Sequence, residues 1–202
     1  MKKLLFILFL TVSVSAVFSQ STLSFGPAVG ANYSWVSEMD DNAMERKWGA
    51  LAGLQLTYSN VNNWGIGLGA FYSREGVKQD VAGAQVKTEL NYIRVPLKGI
   101  IFFRDLGDQF RPKIFVGPTF GYLTGGETEF KPNGEVIINN SRDVFDHWDV
   151  GLLGGLGINI RMSEMMWFNF DAGYTYGLTN LTDGGDASNR NVHTTVGLAF
   201  GL

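Results

Sequence analysis

The sequence predicts an all-β chain, an eight-stranded antiparallel up-and-down transmembrane β-barrel. Three observations predict it. Apolar and aromatic residues alternate with small or polar ones in about eight segments. The connections between those segments alternate between short and long. Tryptophan and tyrosine gather at the segment ends. Successive strand side chains point to opposite faces, so each segment has one greasy face and one narrow, polar face. A membrane barrel turns the greasy face to lipid and keeps the other in its lumen.

The elements follow in order. Over 24–35, Phe25, Pro27, Val29, Ala31, Tyr33 and Trp35 alternate with Ser24, Gly26, Ala28, Gly30, Asn32 and Ser34. A second strand over 47–58 shows Trp48, Ala50, Ala52, Leu54, Leu56 and Tyr58 on one face. A third, 64–74, sets Trp64, Ile66, Leu68, Ala70 and Tyr72 against Gly65, Gly67, Gly69, Phe71 and Ser73. In the fourth, 86–103, Ile93, Val95, Leu97 and Ile101 oppose Tyr92, Arg94, Pro96 and Lys98. Strands over 112–124, 148–160, 167–178 and 192–202 repeat the pattern. Each is near or above the length that crosses a bilayer at a tilt.

Connections 59–63, 104–110 and 161–166 are short, whereas 36–46, 75–85, 125–147 and 179–191 are long and polar. Short periplasmic turns and long extracellular loops are the layout of outer-membrane barrels. With eight strands the first and last can pair, leaving no open edge in lipid. Lys131-Pro132-Asn133-Gly134-Glu135 marks a hairpin within the third long loop, between 127–130 and 136–138.

The first residues, Met1-Lys2-Lys3 followed by Leu4 to Leu10, read as a signal peptide over 1–19, with the barrel domain over 20–202. No later stretch is apolar enough for a transmembrane helix. Cysteine is absent, which removes disulfides, thiolate metal sites and a lipoprotein anchor. A formal net charge of −3 gives no general attraction to nucleic acid. A soluble eight-stranded barrel would need large apolar residues inside. The inner face here reads mostly as Gly, Ala, Thr, Asn and Gln with a few charges, which would not build a hydrophobic core. The expected aromatic girdle comprises Tyr33, Trp35, Trp48, Tyr72 and Trp148 beside the long loops, and Tyr58 and Trp64 beside a short turn.

Leu90-Asn91-Tyr92-Ile93-Arg94-Val95-Pro96-Leu97-Lys98-Gly99 resembles the Tyr-x-x-x-Pro-Leu signature of the PorT-like outer-membrane barrels of Bacteroidota. Phe115-Val116-Gly117-Pro118-Thr119-Phe120-Gly121 is similar to that family's Phe-x-Gly-Pro-x-x-Gly strand. The resemblance spans residues 20–202. It implies an outer-membrane barrel of eight strands, a link to protein secretion and no catalytic residues to transfer. The end, Phe200-Gly201-Leu202, departs from the terminal aromatic that aids recognition by the barrel-insertion machinery.

The inward-facing charges are the candidate site. An eight-stranded barrel has room inside for side chains but no open porin-like channel. Arg94, Lys98, Lys113, Asp149 and Asp171 should therefore form a lumen charge network, because a charge in so narrow a space needs a partner. Lys47 shares their parity. Neither a metal nor a cofactor site is expected. Asp183-Gly184-Gly185-Asp186 lacks the spacing of a calcium loop. Gly65-Ile66-Gly67-Leu68-Gly69 lies within a strand rather than before a helix, unlike a nucleotide loop. The expected function is non-enzymatic: a structural or interaction barrel that contacts outer-membrane lipid and presents its loops to an extracellular or secretion-system protein partner. The competing reading is an outer-membrane lipid-modifying enzyme. It would use His147 or His193 near the rim, with Ser141, Thr194 or Thr195 as the hydroxyl and Asp143 or Asp146 orienting the imidazole.

Overall fold

A computed structural model describes residues 21–37, 44–81, 84–131, 137–140, 145–180 and 187–202. The expected signal peptide, Ser141, Asp143 and the 183–186 segment lie outside the described residues. Ten strands form in chain order: β1 (Ser21–Val36), β2 (Met44–Asn60), β3 (Trp64–Val81), β4 (Ala84–Phe102), β5 (Phe110–Gly125), β6 (Glu127–Lys131), β7 (Ile137–Asn140), β8 (Trp148–Ser163), β9 (Met166–Asn180) and β10 (Ser188–Gly201). Eight of them close into an antiparallel barrel in the order β3-β2-β1-β10-β9-β8-β5-β4, with β3 pairing β4 to seal it. The short β6–β7 hairpin, in the expected place, extends the sheet from the far end of β4. No helix among the described residues is long and apolar enough to cross a membrane; strands do the crossing.

The strands are longer than the alternation marked. β3 runs to Val81 and β4 starts at Ala84, paired through Val81↔Ala84. The segment expected as a long loop over 75–85 is therefore mostly ladder. Its residues mix polar with small and isolated apolar ones and so carry no lipid-facing alternation, yet their backbone groups still pair strand to strand. The turn after β2 is tight. Asn63 there takes a left-handed φ of 63°, which asparagine tolerates better than most residues, and its carbonyl accepts from the Phe102 N–H.

The lipid-facing parity follows the expected one. Phe25, Leu54, Leu68, Leu97, Val116, Leu152, Phe170 and Leu198 are all exposed on the outer wall. Transfer of this surface out of water, at about 25 cal/mol per Å², favours the membrane. The inner face differs from expectation. It holds three apolar groups among the described residues: Leu90, Tyr92 and Leu123; Ala28, Leu51 and Phe71; and Ile100, Phe102, Phe115 and Leu153. The inward series of β4 reads the lumen from top to bottom as Leu90, Tyr92, Arg94, Pro96, Lys98, Ile100 and Phe102. Apolar layers thus cap a charged middle at both ends. Glycine makes room for these large side chains. An added Cβ at Gly155 would come within 2.5 Å of the Phe115 ring, so only glycine fits there.

Candidate functional site

The charged middle of the lumen consists of two clusters. In the upper one, Arg94 on β4 lies between Glu75 on β3 and Asp149 on β8. Arg94 donates from Nε to Glu75 Oε1, and its Nη2 donates to Glu75 Oε2 at 2.6 Å and to Asp149 Oδ2 at 2.7 Å. Asn189 on β10 donates from Nδ2 to the same two oxygens, at 2.7 Å and 3.2 Å. Ser73 Oγ donates to Glu75 Oε1 at 2.9 Å, and Thr179 Oγ1 donates to Asp149 Oδ1 at 3.3 Å. The guanidinium also lies 4.7 Å from the centre of the Tyr92 ring. Glu75, Asp149 and Asn189 are all buried. A planar fork shared by two carboxylates is a geometry that arginine meets and lysine does not.

In the lower cluster the stoichiometry reverses. Asp171 on β9 lies between Lys98 on β4 and Lys113 on β5. Lys98 Nζ donates to Asp171 Oδ2 at 3.1 Å. Lys113 Nζ forms an ion pair with Oδ1 at 2.7 Å. Lys98 also stands 4.5 Å from the centre of the Phe115 ring. Below, Arg111 stacks over Phe102 at 4.0 Å and donates to Ser59 Oγ at 3.0 Å.

A cavity of about 50 Å³ separates the two clusters, lined by Leu51, Phe71, Thr119, Asn191, His193 and their neighbours. A second void of about 10 Å³ lies beside Lys98, Lys113 and Asp171. The larger is roomy enough for ordered water, the smaller barely so.

The structure thus brings Arg94 to Asp149, and Lys98 and Lys113 to Asp171. Lys47 leaves this set. It bonds Glu89 at 2.6 Å at the extracellular rim, beside the register shift between Arg46 and Leu51 on β2. Two members went unread in the sequence. Glu75 and Asn189 were placed in loops, because the lipid-facing alternation fades above the girdle. The inward parity of Phe71 and Ser73, carried one step further, would have reached Glu75.

Among the described residues the rim histidine constellation does not assemble; Ser141 and Asp143 lie outside them. His193 lies along the lumen cavity, opposite Gly173 and Asn32, because its odd position on β10 points inward. Thr194 faces lipid and Thr195 faces the lumen, so they share no site. His147 stays at the rim, 6.2 Å from the Tyr122 ring, with no carboxylate bonded to it among the described residues. No cluster of three or more His, Asp or Glu that could hold a metal occurs among them either.

The girdle residues lie on the outer wall. Tyr33 and Trp48 rings are 4.8 Å apart, Trp35 and Tyr174 6.1 Å, and Tyr122 and Trp148 5.0 Å at the long-loop end. Tyr72 is exposed at the same height, paired with Ile93. Tyr58 and Trp64 rings are 5.6 Å apart at the short-turn end.

A closed barrel of eight strands with an apolar outer wall between aromatic belts defines a small outer-membrane protein. Residues 18–183 match the outer membrane protein β-barrel domain family, and the chain belongs to it. Neisserial surface protein A superposes with a TM-score of 0.52 at 12% identity, over 90% of this chain and 97% of that one. Outer membrane protein W of Escherichia coli gives 0.50 at 14%, over 92% and 100%. A major outer membrane protein from Thermus thermophilus gives 0.50 at 12%, over 89% and 99%. At such identities the likeness speaks for the fold. No curated protein matches the sequence. The protein resides in the outer membrane.

Proposed function

We propose that this protein is a non-enzymatic barrel whose lumen is a structural plug and whose long loops serve as its interaction elements. The observation that carries the reading is the pair of charge clusters spanning the lumen, packed between apolar layers, with voids of about 50 Å³ and 10 Å³ beside them. Each charge of the two clusters contacts an opposite charge, so its desolvation is offset within the cluster. The arrangement ties β3, β4, β8 and β10 together above, and β4, β5 and β9 below. It spends the interior on cohesion and leaves the extracellular surface for recognition.

The test is conductance. The purified barrel in planar bilayers should show no steady ion current, whereas sustained channel openings would remove the plug reading. The resemblance of 90–99 to PorT-like barrels adds a protein-secretion partner to the proposal. Gentle detergent extraction and capture of the intact barrel should recover secretion-system proteins; their consistent absence would leave a structural barrel alone. Fold by itself does not choose between these roles.

A further inference from the structure

We infer that the outer wall of β9, β10, β1 and β2 is a binding site for a phosphate-bearing lipid of the outer leaflet. The register builds it in rows. At the extracellular edge, Trp35 pairs with Arg190 and Arg190 with Tyr176. Arg46 completes the row, its guanidinium 5.2 Å from the Trp35 ring and 6.0 Å from Tyr33. The Arg190 guanidinium lies 3.5 Å from the centre of the Tyr176 ring, and its Nη1 donates to the Gly177 carbonyl at 2.9 Å. The rings and this carbonyl hold the guanidinium planes in place. No carboxylate lies within ion-pair distance of Arg46 or Arg190 among the described residues. Two arginines on a lipid-facing wall thus have no acidic partner among the described residues, with donors left over for an anion.

One row down stand Trp48, Tyr33, Val192 and Tyr174, paired in that order. The row beneath is small: Ala50 pairs Ala31, Ala31 pairs Thr194, and Thr194 pairs Ala172. The wall is thus recessed where acyl chains would run, two rows below the cations and beneath the aromatic row that separates them. Among the described residues the opposite wall carries a single exposed arginine, Arg74 on β3 above Tyr72, rather than a ring-backed pair. Its girdle row is Tyr72, Ile93, Tyr122 and Trp148, and bulky Val95, Phe120 and Val150 fill the row beneath. An ordinary aromatic girdle would look alike on both sides. A pair of ring-held arginines above a smooth strip, found on this side, matches the charge and shape of a lipid with a phosphate head and saturated chains.

The site lies outside the lumen, so its fate and that of the plug separate: conductance reads one and bound lipid the other. The barrel, purified in a zwitterionic detergent, is incubated with bisphosphorylated lipid A, and retained lipid per barrel is read by native mass spectrometry. Arg46→Gln/Arg190→Gln should retain about thirty-fold less, from two lost surface charges. Ala31→Phe, which fills the strip and keeps both arginines, should also retain less. Both variants should keep the heat-modifiable gel mobility of a folded barrel. Retention unchanged in either folded variant overturns the assignment. So does equal retention of the dephosphorylated lipid, and so does displacement by inorganic phosphate at matched ionic strength, which would make this a site for the free anion.

Discussion

The two charge clusters of the lumen are mirror images in composition. Above the cavity one cation, Arg94, serves two carboxylates; below it one carboxylate, Asp171, serves two lysines. Each cluster taken alone carries an imbalance, and the imbalances are opposite in sign. Each therefore has a hub and two spokes. Losing a hub strands two like charges in a low-dielectric space, whereas losing a spoke leaves an ordinary ion pair. Mutational cost should follow position in the cluster rather than charge or burial.

The largest effect is expected for Arg94→Met. It leaves Glu75 and Asp149 buried side by side, with only neutral donors such as Asn189. Breaking a buried network in this way costs about 3–5 kcal/mol. The midpoint of urea unfolding, read from the loss of heat-modifiable mobility, should drop accordingly. Asp171→Asn should cost a similar amount, and Asp171→Asn/Lys113→Met should recover part of it by removing one of the stranded lysines. A double variant less stable than the single would break the hub description.

Next in size is a test of the inside–outside assignment on which the comparison rests. Leu68 on β3 is exposed to lipid, and Leu68→Arg should cost about 2–4 kcal/mol near the midplane. Gly67→Ala, one residue away but facing inward, should be milder. Its new Cβ would meet the Ile100 Cδ1 at 3.2 Å, the end of a flexible side chain. Equal urea resistance in Leu68→Arg and the parent would invert the facing of β3.

The spokes follow. Glu75→Gln leaves Arg94 paired with Asp149, and Lys98→Met leaves Asp171 paired with Lys113. Each should cost about 1 kcal/mol or less, the size of one net hydrogen bond. A spoke as costly as its hub would show the clusters to be nets without a centre.

How much of this was legible depends on which face a residue serves. Lipid demands apolar side chains at every second position, so the outer wall was readable from alternation, and the closed eight-stranded order from alternation together with the loop lengths. The lumen makes a weaker demand, for volume and paired polarity. Phe71, Phe115 and Leu153 were therefore not foreseen as packing, although the parity of Phe71 was plain. Arg94, Lys98, Lys113, Asp149 and Asp171 stood out because a charge in a membrane strand has few other places to go. Glu75 and Asn189 did not, because above the bilayer either face tolerates polar residues and the alternation carries no information. Alternation starts the last strand at residue 192 and so puts His193 at the rim; β10 begins at Ser188 and sets the histidine deeper.

The smallest effect uses the rim as a control for burial. Glu89 sits between Lys47 at 2.6 Å and Lys87 at 3.2 Å, one carboxylate between two lysines, like Asp171. It lies on β4 four residues above Ile93, the β4 member of the girdle row, and its side chain is 40% exposed. The hydrogen bond from Lys47 holds its carboxyl below the usual range, and that from Lys87 adds to this. A depressed folded-state pKa means that the pair stabilises the barrel above the ordinary carboxylate pKa. The contribution is lost as pH falls through the lower, folded value. Water screens the pair, so Glu89→Gln should cost about 0–1 kcal/mol at neutral pH. The gap between Glu89→Gln and the parent should then close as the solution is taken to acid. Asp171→Asn has the same composition around it and differs in burial, so the ratio of the two costs measures what the lumen adds to an ion cluster. If Glu89→Gln matches Asp171→Asn at neutral pH, burial is not what gives the lumen charges their weight. The plug would then owe its cohesion to the apolar layers of Phe102, Phe115 and Leu123 rather than to the hubs between them.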